Sequence, residues 1–259
     1  MAGNTGEPGA SVASRLLAVL ASFDTDHQRL SLSEIARRAG LPPATAHRLV
    51  GELENWHGLR RGADGRYEIG RRLWDVGILA PVQRDLREVA LPYLQDVHAT
   101  TGETVHLAVR DGLSALYVER IVGRTSARVL SRTGVRLPLH ATAVGKMLLA
   151  GSPPDVVRAA LAAPARVTAH TITQPGRLHR ELTEARRRGF ARTAEELTPG
   201  AWSVAVPIAL GDGDGDGRTV AALGIVVASP RRDLVRLVPV LRVAALGVAR
   251  ALPAGWLSE

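Results

Sequence analysis

The residues best suited to specific polar contacts lie in one short segment, Pro43 to Glu52, where small or hydrogen-bonding side chains alternate with aliphatic ones. The guanidinium of Arg48 can bond a guanine edge or a phosphate, and the side chains of Thr45 and His47 can bond bases or phosphates. The smallest side chains of the segment allow a close approach to a groove. This pattern predicts a DNA-contacting surface formed by Pro43, Ala44, Thr45, His47, Arg48 and Gly51.

The segment around these residues has the pattern of a helix-turn-helix. Ser31 followed by Glu34 is a capping box, which starts a helix. Gly40 and the two prolines after Leu41 end that helix and begin another, because glycine tolerates a positive φ and proline fits a first helical turn. An ordinary helical hairpin is the alternative. The second helix has a buried stripe at i, i+3, i+4 and i+7, made of Ala46, Leu49, Val50 and Leu53.

A basic hairpin is predicted directly after this motif. Asp64-Gly65 lies between two strand-like arms, Leu59 to Arg61 and Arg66 to Ile69, and Asp-Gly is a strong hairpin signal. A hairpin in this place is a wing, and arginines on it can contact phosphates. A solvated surface is the alternative for any single one of them. The candidate wing contacts are Arg60, Arg61 and Arg66.

Composition limits the other options. A chain of 259 residues, 46% of them hydrophobic, can bury more than one small module, so we expect two domains. The formal charge is +8, but residues 1–80 carry only +1 of it, so net charge is weak support for DNA binding. The absence of cysteine excludes disulfides and thiolate chemistry. With no signal-peptide pattern and no apolar run long enough for a bilayer, we expect a cytoplasmic protein without membrane contact.

The pattern of residues along the chain predicts four segments. Residues 1–10 are Gly-rich and polar, as in a disordered tail. Residues 11–69 form the winged helix-turn-helix, and residues 70–80 form a linker helix with an apolar side that includes Leu73 and Val76. Residues 81–259 form a second domain.

The second domain has the pattern of an α+β fold with an antiparallel sheet. From Glu103 the hydrophobic period changes from helical to two. Helices are predicted at Thr142–Ala150, Pro154–Ala162, Arg177–Arg188 and Asp233–Leu252. Strands are predicted from Glu103, at Leu113–Val122, Ala127–Arg132, Phe190–Glu195, Trp202–Leu210 and Thr219–Ala228.

Several motifs along the chain together resemble the IclR family of bacterial transcriptional regulators. They are SEIARRAGLPPATAHRLVGEL, DGRYEIG, PLHATAVGKMLLA, RRRGFARTAEELTPGAWSVAVPI and AALGIVVASPRR, in this order, and the similarity runs from about Val12 to about Leu252. The resemblance implies a winged helix-turn-helix, a linker helix and a C-terminal effector domain related to GAF folds. It also implies a dimer or tetramer that binds operator DNA.

The resemblance further implies a place for a small-molecule effector, often a carboxylate or an aromatic acid. One wall would be the loop and helix start at Thr142, Ala143, Val144 and Gly145, and the other would be Thr193, Ser203, Gly224 and Val226. A helix N-terminus offers N–H groups and a positive dipole end to an anion. Members that bind small oxo-acids tend to have Asp, Cys and two Ser on the far wall. The departures here favour a larger, less polar ligand.

No metal, cofactor or catalytic set is predicted. Asp212, Asp214 and Asp216 imitate the start of an EF-hand loop, but Leu223 stands where a bidentate Glu is needed. The histidines lack metal-ligand spacing. Among them, His140 has the best claim to a role because it lies just before the predicted pocket.

A rival interpretation is an acyl-transfer or hydrolytic enzyme whose winged helix is an adaptor. Its residues would be Thr142, Lys146, Ser203 and either Glu195 or Glu196. Thr142 and Lys146 are one helical turn apart with no third residue to orient them. Adjacent glutamates on a strand point to opposite faces and cannot share a substrate. We therefore assign no catalytic residue and expect Lys146 to be structural or at the pocket edge.

The sequence thus favours an effector-responsive transcriptional regulator, a repressor or an activator, that binds double-stranded DNA. Two-fold symmetry of the oligomer predicts a pseudo-palindromic operator. A third interpretation is an assembly module whose helix-turn-helix makes protein contacts.

Overall fold

The computed structural model describes residues 11–24, 27–77, 84–123, 132–211, 218–228 and 233–253, with side chains from residue 86 in the third range. The chain divides into two compact units between Val82 and Gln83. Each unit has its own hydrophobic core, and each is described by itself below. None of the described helices is both long and apolar enough to cross a membrane.

The N-terminal unit is a small helical bundle with a hairpin. Its elements are α1 (Val12–Ala21), α2 (Leu32–Arg38), α3 (Pro43–Asn55), β1 (Leu59–Arg61), β2 (Tyr67–Ile69) and α4 (Arg71–Gly77). The predicted capping box is present, since the Glu34 N–H donates to Ser31 Oγ at 3.3 Å and the Ser31 N–H donates to Glu34 Oε2 at 2.7 Å. Gly40 ends the turn after α2 with φ +64°, a left-handed conformation that favours glycine. The helix-turn-helix forms as its sequence predicts.

The core of this unit lies under one side of α3. The predicted stripe on α3, Ala46 to Leu53, is fully buried, and it packs against α1, α2 and the hairpin. Leu30 pairs with Tyr67 of β2, so the segment before α2 is hydrogen-bonded to the hairpin. The buried cluster consists of Val19, Leu30, Ile35, Leu49, Val50, Leu53, Leu59 and Tyr67.

The apolar side predicted for the linker helix is not buried. The described helix α4 covers residues 71–77 of the predicted 70–80; Gly70 precedes the helix, and residues 78–80 lie outside the described residues. Trp74 is 61% exposed and Val76 is 49% exposed, while Leu73 is only partly buried. The helical spacing of the apolar residues therefore predicted that this segment is helical, but it did not show that its apolar side is exposed.

The C-terminal unit is built on an antiparallel sheet. Its elements are α5 (Arg84–Thr101), β3 (Thr104–Asp111), β4 (Ser114–Ile121), β5 (Arg136–Pro138), α6 (Ala143–Ala150), α7 (Pro154–Ala162), α8 (Pro175–Arg188), β6 (Ala191–Ala194), β7 (Trp202–Leu210), β8 (Arg218–Val227) and α9 (Val238–Ala251). Within the described ranges the six strands run in the order β5-β4-β3-β8-β7-β6, and every neighbouring pair is antiparallel. The fold is α+β.

Period-two alternation places different residues on the two faces of this sheet. On β3, Val105 and Leu107 belong to the cluster that α5 and α9 cover, and Ala108 belongs to the cluster that α6 and α8 cover. Small residues such as Ala205 and Ala222 line the second face, so α6 can lie close to the strands. This close approach positions the N-terminus of α6 over the middle of the sheet.

Several boundaries differ from the sequence-based expectations. The strand predicted at Ala127–Arg132 falls outside the described residues except for Arg132, and the short strand β5 was not predicted. The helix predicted from Thr142 begins at Ala143, because Thr142 is its N-cap and follows a 3₁₀ turn. The helix predicted from Asp233 begins as a 3₁₀ turn and becomes α-helical at Val238. Strand β6 ends at Ala194, because Glu195 adopts φ +57°.

The capping box gives a direct test of the N-terminal unit. Replacing Ser31 by Ala removes the acceptor for the Glu34 N–H, so we expect α2 and α3 to lose about 1 kcal/mol of stability. Hydrogen exchange at the amides of these helices in the full-length chain measures that loss. Replacing the exposed Ser33 by Ala should change it by less than about 0.5 kcal/mol. Equal exchange in both variants would contradict the role of the cap.

Candidate DNA-binding surface and ligand cavity

The side of α3 opposite the core faces solvent. Pro43, Ala44, His47 and Arg48 are exposed, and Thr45 and Gly51 are partly buried at its margins. A Cβ on Gly51 would have nothing within 4 Å, so the surface around it is open. Neither His47 nor Arg48 has an ion pair or side-chain hydrogen bond within the described part of the chain. The polar side of α3 is therefore available to a partner.

The wing arginines are exposed, but each also contacts its own unit. Arg60 pairs with Glu68 across the hairpin, and the Arg61 guanidinium lies 5.6 Å from the centre of the Tyr67 ring. Arg66 Nη1 is 3.0 Å from Glu34 Oε2, the carboxylate that completes the capping box. The sequence predicts Arg66 only as a phosphate contact. In the structure it also fastens the hairpin to α2.

A small cavity lies in the C-terminal unit where the effector is expected. Its volume is about 30 Å³, room for about one water molecule. Four of the eight predicted effector residues line it: Thr142, Thr193, Ser203 and Val226. The remaining lining residues are His106, Tyr117, Ala141, Leu197, Thr198 and Ala201.

The other four predicted effector residues, Ala143, Val144, Gly145 and Gly224, lie outside that lining. The Gly145 N–H donates to Thr142 Oγ1 at 3.0 Å and is therefore already engaged. A Cβ on Gly145 would lie 2.3 Å from the Leu139 carbonyl oxygen, and one on Gly224 would lie 2.8 Å from Val144 Cγ1. Both glycines permit close packing of α6. This accounts for their small size without a ligand.

The cavity wall combines several hydroxyl groups with apolar side chains and carries no formal charge. Thr193 Oγ1 and Ser203 Oγ are 2.5 Å apart on the paired strands β6 and β7. The Thr198 hydroxyl is buried and has no hydrogen-bond partner in the described residues. A buried hydroxyl without a partner is costly, so Thr198 offers a ligand an unused donor and acceptor.

Two lining residues, His106 and Tyr117, were missed by the sequence reasoning. Their rings meet edge to face with centroids 5.2 Å apart. Burial, together with the smaller effect of the Arg120 charge, lowers the pKa of His106 to about 3, so the imidazole is neutral. Burial raises the pKa of Tyr117, whose phenol therefore stays protonated. They lie on the adjacent strands β3 and β4. The sequence does not give the register of these strands, so it could not show that the two side chains meet.

Next to the cavity, Lys146 and Glu196 form a buried ion pair. Lys146 is 1% exposed, and its Nζ lies 2.6 Å from Glu196 Oε1. Burial raises the pKa of Glu196, against the opposing effect of the Lys146 charge. Thr168 and Thr171 donate to the backbone carbonyls of Glu195 and Glu196, each at 2.7 Å, and so hold this segment in place. The strand geometry expected for the two glutamates is wrong, because the chain leaves β6 before them.

These contacts separate the residues that the enzyme interpretation requires. Lys146 binds Glu196, while the hydroxyl of Thr142 caps α6 and the hydroxyl of Ser203 meets Thr193. None of these contacts joins a nucleophile to a base. His140 Nε2 lies 2.9 Å from the Ala165 carbonyl oxygen, and it does not line the cavity. The residues Asp212, Asp214 and Asp216 lie outside the described ranges.

Comparisons with known proteins agree over most of the chain. Residues 12–62 match the IclR helix-turn-helix domain, and residues 80–250 match the family described as bacterial transcriptional regulator IclR C-terminal. The HTH-type transcriptional regulator XynR of Escherichia coli is 32% identical over 245 residues, which cover 92% of this chain and 95% of that protein.

Solved structures show the same similarity. An IclR homolog from Microbacterium hydrocarbonoxydans, in complex with 4-hydroxybenzoate, is 35% identical with a TM-score of 0.85, covering 93% of this chain and 99% of its own. A transcriptional regulator from Rhodococcus sp. RHA1 is 32% identical with a TM-score of 0.79, covering 93% and 97% of the two chains.

The neutral His106 predicts a dependence of stability on pH. Its pKa is about 3 in the folded chain, against 6.5 for an unperturbed histidine, so below pH 6.5 the unfolded chain binds a proton that the folded chain does not. Stability is therefore lost as the pH falls, by up to about 1.4 kcal/mol per pH unit from this group.

Replacing His106 by Gln removes that contribution, so chemical denaturation at a series of pH values should show a shallower loss for this variant. The exposed His179 replaced by Gln is the matched control and should keep the wild-type slope. Identical slopes for the wild type and the His106 variant would show that the buried imidazole does not titrate as described.

Proposed function

Since the chain belongs to the IclR family of bacterial transcriptional regulators, which are DNA-binding proteins and not enzymes, we propose that the exposed side of α3 contacts the bases of its operator. The observation that carries this proposal is the division of α3 into a fully buried aliphatic side and a polar side without partners in its own unit. Such a helix can enter a major groove without any loss of core packing. The proposed contacts are Pro43, Ala44, Thr45, His47, Arg48 and Gly51.

The hairpin has a supporting part in this proposal. Arg60 and Arg61 contact the phosphate backbone beside the helix, where they add affinity but no sequence preference. Arg66 keeps its pair with Glu34 and so holds the hairpin at the correct distance from α3, with its remaining guanidinium N–H groups toward the phosphates. In a symmetric dimer or tetramer, paired α3 helices enter successive major grooves of a pseudo-palindromic operator.

The effector is proposed to be a small aromatic or other organic acid bound at the C-terminal cavity. The similar protein solved with 4-hydroxybenzoate supports this class of ligand. The wall supplies neutral donors and acceptors from Ser203, Thr193 and Thr198. The Gly145 N–H is bonded to Thr142, so the N–H groups that the start of α6 offers an acid are those of Ala143 and Val144. The proposed set is Thr142, Ala143, Val144, Gly145, Thr193, Ser203, Gly224 and Val226.

The size of the cavity has a consequence for regulation. Pockets for small molecules usually measure roughly 300–1,000 Å³, whereas this one measures about 30 Å³. The acid therefore binds an arrangement in which the wall has moved outward. A ligand that prefers one arrangement shifts the population toward it. The affinity for DNA can then change by no more than the ratio of the affinities of the two arrangements for the acid.

Arg48 is the sharpest test of the DNA contact. Replacing Arg48 by Ala should weaken operator binding by about 1–3 kcal/mol and relax the preference at one base pair, if the guanidinium bonds a base edge. Binding is measured by fluorescence anisotropy with a genomic operator and with single-base variants of it. The exposed Arg158 of α7, replaced by Ala, is the control and should bind as the wild type does. An unchanged affinity and sequence preference for this variant would remove Arg48 from the readout.

Ser203 tests the effector site. Replacing Ser203 by Ala leaves Thr193 without its partner and removes one hydrogen bond to the acid, so affinity for 4-hydroxybenzoate should fall about fivefold to tenfold. Isothermal titration calorimetry on the full-length chain measures the change. Replacing the exposed Thr183 of α8 by Ala is the control. Equal affinities for both variants would place the acid elsewhere.

A further inference from the structure

A second, larger cavity opens beside the edge strand β6. Its volume is about 400 Å³, within the usual range for small-molecule pockets. It lies between the first turns of α8, strand β6 and the 3₁₀ turn that precedes α9. The side chains that line it include Arg177, Glu181, Arg192, Glu196, Trp202 and Leu234.

Two arginines give this cavity a site for an anion. Arg177 on α8 and Arg192 on β6 both line it, and neither guanidinium is paired with a carboxylate in the ranges that the structure describes. Three acidic groups also line the cavity, and two of them have cations of their own: Asp233 is 3.5 Å from Arg236, and Glu196 is paired with Lys146. The exposed Glu181 is the third, and it opposes only one of the two arginines. The local charge therefore favours a carboxylate, which guanidinium groups bind through paired hydrogen bonds.

A buried oxygen in the same cavity lining lacks a hydrogen-bond donor. Glu196 is 7% exposed, and its Oε1 accepts from Lys146 at 2.6 Å. Its Oε2 is buried and has no partner in the described residues. When the carboxyl group is ionised, its oxygens accept hydrogen bonds and cannot donate them. A hydroxyl or an ammonium group of a ligand would therefore satisfy Glu196 Oε2. An unsatisfied buried oxygen is otherwise unfavourable.

The rest of the wall is apolar. Trp202 is half-buried at the start of β7, and Leu234 and Val235 of the 3₁₀ turn face the same cavity. An aromatic or aliphatic part of a ligand would cover these side chains and remove their surface from water.

From these three features we infer that the cavity beside β6 is a second ligand site for a carboxylate that also carries a hydrogen-bond donor, as amino acids and hydroxy acids do. The carboxylate is held by Arg177 and Arg192, the donor by Glu196 Oε2, and the side chain by Trp202. This site is separate from the effector cavity and needs no change in the proposal made for that cavity.

The two cavities share structural parts. Thr193 lines both of them, with its hydroxyl bonded to Ser203 on the effector side. Glu196 faces the second cavity, and its partner Lys146 belongs to α6, whose N-terminus adjoins the effector cavity. A ligand on Glu196 therefore acts on the helix that helps to hold the effector.

Four related compounds test the ligand class by calorimetry on the full-length chain. L-Phenylalanine has both the carboxylate and an ammonium group, and L-3-phenyllactate has a hydroxyl in its place. 3-Phenylpropionate lacks the donor, and 2-phenylethylamine lacks the carboxylate. We expect at least one of the first two to bind, and each of the last two to bind about tenfold more weakly or not at all. Binding of phenylalanine alone identifies amino acids as the class, and binding of phenyllactate alone identifies hydroxy acids.

Two variants locate the binding. Exchange of both Arg177 and Arg192 for Gln should weaken binding at least about tenfold, whereas R180Q, which changes an exposed arginine of the same helix outside the cavity, should not change it. The inference is overturned if neither acid with a donor binds at millimolar concentration, or if the double variant binds as the wild type does.

Discussion

The buried ion pair between Lys146 and Glu196 is the contact on which the C-terminal unit most depends. Loss of either partner would leave a charge in the interior, which typically costs about 3–5 kcal/mol. The pair joins α6 to the segment after β6, and the hydroxyls of Thr168 and Thr171 fix the backbone of that segment. This contact between helix and loop therefore helps to position a segment that contributes Glu196 to the larger cavity and Leu197 and Thr198 to the smaller one.

In the N-terminal unit the constraint is that α3 must bury its aliphatic side and leave its polar side exposed. The aliphatic side completes a small core, so the helix cannot rotate without exposing that core. The capping box fixes the start of α2, and Arg66 links the same Glu34 to the hairpin. Helix, turn and wing are consequently held as one body that presents Arg48 outward.

Sequence patterns predicted the helix-turn-helix, the hairpin and most strands because local signals determine them: caps, glycine turns and period-two alternation. They failed where the outcome depends on distant partners. The pairing of Lys146 with Glu196 joins positions fifty residues apart, and His106 meets Tyr117 only through the register of β3 with β4. The resemblance to the family implied Gly145 and Gly224 as ligand residues, and in the structure both also permit close packing of α6, which a single sequence does not reveal.

The mutual effect of the effector acid and operator DNA on each other's binding tests the account most directly. If the acid regulates DNA binding through two arrangements of the protein, it changes the affinity of the protein for operator DNA by a certain factor. Operator DNA must then change the affinity of the protein for the acid by the same factor. Calorimetric titration of 4-hydroxybenzoate into the free protein and into its operator complex measures the second factor. We predict two different affinities whose ratio matches the first factor. Equal affinities in the two titrations would contradict the account.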